Sequence, residues 1–69
     1  MEKQHKVLSE YDGIAIGDLV DTKSKYGCGT VESIIDFDTH IVYYVNTGFP
    51  IKLPMKREWI ELKLKGGNG

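Results

Sequence analysis

The fold is decided by the stretch Thr30-Val31-Glu32-Ser33-Ile34-Ile35-Asp36-Phe37-Asp38-Thr39-His40-Ile41-Val42-Tyr43-Tyr44-Val45-Asn46-Thr47-Gly48. Its second half, Ile41 to Val45, is β-branched or aromatic at every position, the composition that packs best on a pleated surface. Both faces of that strand are apolar, so one is expected to lie in the core and the other beneath a partner. The first half, Thr30 to Phe37, alternates, and strict alternation places Val31, Ser33, Ile35 and Phe37 on one face, expected to be the core face. Asp38-Thr39-His40 joins the two strands, and Asn46-Thr47-Gly48 reads as a three-residue hairpin turn with the glycine left-handed.

Further strands follow on either side. Downstream, Phe49 to Leu53 reads as a fourth strand, held to a sheet edge or to short pairings because Pro50 and Pro54 carry no N–H. Met55 to Trp59 predicts a turn of 3₁₀ helix, and Ile60, Leu62 and Leu64 alternate with Glu61 and Lys63 as a fifth strand. Upstream, Val20 and Thr22 alternate with Asp21 and Lys23 in a first strand, Asp18 to Lys23, and the loop Ser24 to Gly29 follows it. Residues 1–12 read as a flexible arm with a short turn of helix, and residues 66–69, Gly-Gly-Asn-Gly, as a flexible tail. Five short antiparallel strands are too few for two sheets. They predict an all-β domain over residues 13–65, a five-stranded SH3-like barrel that closes most of its edges.

The chain's 69 residues hold one small domain. With 41% hydrophobic and 28% charged residues it has globular usage. A single Cys28 forms no internal disulfide, and no apolar run approaches the roughly 20 residues of a membrane span. The first ten residues lack the apolar run of a secretory signal, which makes the cytoplasm the expected compartment. The net charge is −1, so nothing attracts a polyanion to the molecule as a whole. The distribution is uneven, because Lys52, Lys56, Arg57, Lys63 and Lys65 gather in the last third of an otherwise acidic chain.

The order Gly17-Asp18-Leu19-Val20, a five-residue gap, then Tyr26-Gly27-Cys28-Gly29-Thr30-Val31 resembles the start of the Tudor-like barrels that close UvrD-type helicases. CarD-type transcription regulators carry a related pattern, and Ile51-Lys52-Leu53 with Ile60-Glu61-Leu62 matches its end. The resemblance spans residues 13 to 64, with one departure: Trp59 stands where the helicase domains often have a small residue. It implies a Tudor-like fold and a non-enzymatic docking module in the transcription or DNA-repair machinery, with RNA polymerase as the expected partner. Strand addition at Ile41 to Val45 or Phe49 to Leu53 is one physical route to such docking.

No residues assemble into a reactive centre along the chain. Cys28 has no neighbouring base, and His5 and His40 stand apart with no paired metal-ligand spacing, so no catalytic residue, metal or cofactor is expected. Asp36 and Asp38 read as a solvated turn. Seven aromatics exceed what so small a core hides, so some must be exposed. Tyr43 and Tyr44 must point to opposite faces. The candidate binding residues are Tyr26, Tyr43, Tyr44, Phe49 and Trp59, with Lys52, Lys56 and Arg57 as a basic rim. The same rim defines the alternative of a nucleic-acid-binding barrel, and the two-faced third strand that of a homo-oligomer holding a small ligand between subunits.

Overall fold

The computed structural model describes residues 5–66. Residues 1–4 of the expected arm and 67–69 of the expected tail lie outside the described residues. The chain is all-β: β1 (Lys6–Leu8), β2 (Glu10–Tyr11), β3 (Ile14–Ala15), β4 (Leu19–Asp21), β5 (Cys28–Asp36), β6 (Ile41–Asn46), β7 (Leu53–Met55), a 3₁₀ turn at Arg57–Trp59, and β8 (Glu61–Leu64). No helix among the described residues is long and apolar enough to cross a membrane.

The nine-residue β5 is the spine. One of its edges pairs with β6; along the other, Cys28–Thr30 pairs with β4 and Ile34–Asp36 with β1. All these ladders are antiparallel, and the main path runs β7-β6-β5-β4-β8. The expected five-stranded closed barrel is therefore corrected: six strands form this sheet, β7 and β8 are not joined by a ladder, and β2 with β3 makes a separate two-stranded sheet.

Part of the segment read as an arm is built into the fold. Val7 pairs with Ile35 and Leu8 with Ile34, and Leu8 packs against the core. Asp12 and Gly13 then take φ of 53° and 82°, the double left-handed conformation of a two-residue hairpin turn, which sets Tyr11 opposite Ile14. At the other end, Gly66 is tied down by its N–H, which donates to Asp18 Oδ1 at 2.8 Å.

The core holds Ile14, Val20, Val31, Ile34, Tyr43, Val45, Met55 and Ile60. The core face expected for the second strand changes partway along it. Val31 pairs with Val45 but Ser33 pairs with Tyr44, so Glu32 is an extra residue in a β-bulge. The bulge reverses the alternation: Val31 and Ile34 point inward, while Ser33 and Ile35 turn out. A second irregularity in the β4–β8 ladder accompanies the outward placement of Leu64 beyond the inward Ile60. The fourth strand is also displaced, to Leu53–Met55, and residues 47–52 form a connection longer than a tight turn. Within that connection Gly48 has the left-handed φ of 103° that its place after Asn46-Thr47 implied. Pro54 does lie in the strand at the end of the sheet path, where its missing N–H faces no neighbouring strand.

Candidate functional site

Two loops and the 3₁₀ turn bring together the half-buried Tyr26 and the exposed Phe49 and Trp59. Loop 22–27 is held by its own hydrogen bonds: the Thr22 N–H and hydroxyl both donate to the Gly27 carbonyl, at 3.0 and 2.7 Å, and the Tyr26 N–H donates to Ser24 Oγ at 3.2 Å. Gly27, with φ of 78°, supplies the left-handed turn that closes it. Tyr26 is thereby presented edge-on to Phe49 of the 47–52 connection, with ring centroids 4.9 Å apart and planes at 88°. Opposite them, Trp59 ends the 3₁₀ turn, its N–H donating to the Lys56 carbonyl at 2.9 Å, and its residue remains 45% exposed.

Trp59 stands between two shallow apolar clefts. The first, of about 310 Å³, lies between loop 22–27 and the 3₁₀ turn, with Tyr26 and Trp59 as walls, Pro54 and Met55 shared with its neighbour, and Lys23 and Glu58 at its margin. The second, of about 250 Å³, is lined by Trp59, Val42, His40, Lys56 and the same Pro54 and Met55. Lys56 Nζ is 5.4 Å from the Trp59 ring centroid, and Lys25 Nζ lies 5.7 Å from that of Tyr26.

Of the expected binding residues, Tyr26, Phe49, Lys56 and Trp59 fall on this surface, and the others do not. Tyr43 is a correction, because it is fully buried and its hydroxyl donates to the Tyr11 carbonyl at 2.7 Å. Burial pushes its phenol up to about 12. Tyr44 points outward into a separate groove with Ser33, Ile35, Pro50, Ile51 and Lys52. Lys52 faces Glu32 at 3.5 Å. The Asn46 amide above all, with Lys52 beside it, holds the Glu32 carboxyl below its usual value. Arg57 is turned into the scaffold: its Nε lies 3.3 Å from Asp12 Oδ2 and donates to the Asp12 carbonyl, while Nη1 donates to the Ile60 carbonyl at 3.0 Å. The rim expected from Lys52, Lys56 and Arg57 thus reduces to Lys56, joined by Lys23 and Lys25, which sequence reasoning passed over. The adjacency of Lys25 and Tyr26 was the available signal.

Pairing blocks strand addition along Tyr43 to Val45, which has β5 on one side and β7 on the other, and Phe49 to Lys52 is not a strand. Of the expected segments, Leu53 on β7 keeps a side with no ladder among the described residues, at the end of the sheet path. Cys28 is exposed at the start of β5, and the described residues hold no group of three or more His, Cys, Asp or Glu arranged to hold a metal ion. No protein-family model matches the chain, and no curated protein or solved structure matches it either.

Proposed function

We propose that the protein is a small non-enzymatic docking module that receives a protein partner at Trp59. The observation carrying this reading is the indole itself, nearly half exposed between two apolar clefts on a turn held by backbone hydrogen bonds. Aromatic anchors of this kind dominate the energetics of protein interfaces. The serial strand order β7-β6-β5-β4-β8, with a 3₁₀ turn ahead of the last strand, supports an SH3-like, Tudor-like assignment for the open sheet. The resemblance carried by Gly17-Asp18-Leu19-Val20 and Tyr26-Gly27-Cys28-Gly29 supports a partner in cytoplasmic transcription or DNA repair, RNA polymerase first. The test is retention of purified RNA polymerase on the immobilised protein. Retention that Trp59→Ala abolishes supports the reading, and no complex at micromolar concentration removes the polymerase.

One observation favours a second reading, single-stranded nucleic-acid binding: ammonium groups stand over two rings, Lys25 at the half-buried Tyr26 and Lys56 at the exposed Trp59. That reading requires an affinity that falls steeply with salt.

A further inference from the structure

We infer that the paired clefts at Trp59 take an extended acidic peptide segment, with an apolar side chain seated between Tyr26 and Trp59 and carboxylates flanking it on Lys23, Lys25 and Lys56. This inference rests on the docking reading above and names the chemistry of the partner.

The charge pattern selects the ligand's sign. Lys52, Arg57 and Lys65 each face a carboxylate within ion-pair distance. Lys23, Lys25 and Lys56 face none among the described residues, and all three are at the clefts or over their rings. Among the residues lining the two clefts, Lys23 and Lys56 stand against Glu58, an excess of one positive charge, with Lys25 over the Tyr26 ring and the Asp21 carboxylate, which accepts the Lys23 N–H, just outside them. On a chain whose net charge is −1, that excess is a local feature. It also disfavours a cationic ligand, because the protein's own ammonium groups already approach Tyr26 and Trp59.

The shape selects an extended backbone. The clefts lie on either side of one indole and share Pro54 and Met55, so a chain crossing Trp59 drops residues i and i+2 into successive depressions, about 6.6 Å apart in extended geometry. The Tyr26 hydroxyl and the Trp59 Nε1–H are the two donors these rings can offer the carbonyls of such a chain. Single-stranded nucleic acid fits less well. It needs a continuous cationic track, and here Glu58 interrupts the lysines while Lys52 and Arg57 are already paired.

Trp59 is the only tryptophan in the chain, so its emission reports directly on the clefts. The experiment selects binders to the full chain from a random peptide library, then titrates the synthesised winners against Trp59 fluorescence. The expected winners carry Asp or Glu around Pro or an aliphatic residue, and they shift the emission. Their affinity drops about tenfold or more in Lys56→Glu and in Tyr26→Ala, with circular dichroism unchanged. Lys23→Glu/Lys56→Glu should in turn select basic peptides, a reversal that a merely unfolded variant cannot produce. Winners rich in Lys or Arg overturn the inference, and so does binding that leaves the emission unmoved. Displacement by an oligo-deoxythymidylate that binds more tightly than any acidic peptide also overturns it. Polymerase retention indifferent to Trp59→Ala sinks this ligand assignment while a docking role elsewhere survives; failure to bind either polymerase or peptide sinks both.

Discussion

Lys65 Nζ lies 2.8 Å from Oδ2 of Asp18, a carboxylate that is 1% exposed and also accepts the N–H of Ala15 and of Gly66, each at 2.8 Å. One buried side chain thereby fastens the end of the β2–β3 hairpin and the chain beyond β8 to the start of β4. Burial acts to raise this carboxyl, but the Lys65 ammonium and the two N–H groups outweigh it and hold the group below its ordinary value. A carboxyl lowered in the folded state contributes stability that is present above the unfolded value, near 3.8, and is lost as pH falls through the lower folded value. Asp18→Asn turns an amide N–H₂ toward donors and should cost about 1–3 kcal/mol at neutral pH. Urea midpoints measured from pH 6 down to pH 2 should fall less steeply in the variant than in the parent; equal slopes would remove Asp18 from this role.

Tyr43 has the opposite sign. Its phenol is raised to about 12, so its contribution is complete below the unfolded value of 10 and declines as pH rises from there through the folded value. A spectrophotometric titration should show a late phenol ionisation at about 12, and Tyr43→Phe should delete that step. Losing the bond to the Tyr11 carbonyl should cost about 1 kcal/mol, whereas Tyr43→Ala should cost about 3–5 kcal/mol by emptying the core. Tyr44→Ala, on the outer face, should leave the fold intact.

These two adjacent tyrosines show where the sequence was legible and where it was not. Alternation requires that one be buried, but it does not say which, because Ile41, Val42, Tyr43, Tyr44 and Val45 are apolar in either phase. The same ambiguity in Ile34-Ile35 hides the bulge at Glu32, since both residues satisfy a core position. Strand identity was readable for β4, β5, β6 and β8, with ends off by a few residues, because β-branched runs and alternation mark them locally. Asp12-Gly13 is a short-range hairpin signal that reading residues 1–12 as an arm passed over. Phe49 to Leu53 misled because the pairing of Tyr43 with Met55 and Val45 with Leu53 is a tertiary choice. For the site, the count of aromatics against a small core points to Tyr26, Phe49 and Trp59, and the basic last third of the chain to Lys56. The engagement of Arg57 with Asp12 depends on the hairpin that the sequence reading missed.

Gly29 is required by a close approach. A Cβ there would come within 2.6 Å of the Asn46 carbonyl oxygen and 2.7 Å of both a Thr47 and a Val45 methyl group, and the carbonyl belongs to backbone that cannot rotate away. Gly29→Ala should therefore cost about 1–3 kcal/mol by overpacking, while Cys28→Ala next to it, at an exposed position, should change stability by less than about 0.5 kcal/mol. The nearby Thr47 hydroxyl is buried without a partner among the described residues. Thr47→Val should accordingly leave the midpoint unchanged or raise it. Guanidinium denaturation of the three variants decides, and a tolerated Gly29→Ala would show that β5 and the end of β6 with Thr47 are not packed at this distance.

Arg57 and Lys56 are neighbours with separable roles. Arg57 bridges the Asp12 carbonyl and carboxylate to the Ile60 carbonyl, linking the β2–β3 turn to the start of β8, and it lies outside the two clefts at Trp59. The exposed ion pair with Asp12 is worth under about 1 kcal/mol, and the bond to Ile60 adds a similar amount. Arg57→Ala should thus lower stability by about 1–2 kcal/mol and leave the affinity for a partner at Trp59 within about twofold, less than 0.5 kcal/mol. Arg57→Lys should not restore it, because a single ammonium cannot reach in two directions as the planar fork does. Lys56→Ala should do the reverse, since its ammonium stands over the Trp59 ring and forms no ion pair among the described residues: unchanged midpoint, weakened binding. Measuring urea midpoint and Trp59 fluorescence titration on both variants separates scaffold from site, and an Arg57→Ala that binds poorly while fully folded would move the docking surface from Trp59 toward the Asp12 turn.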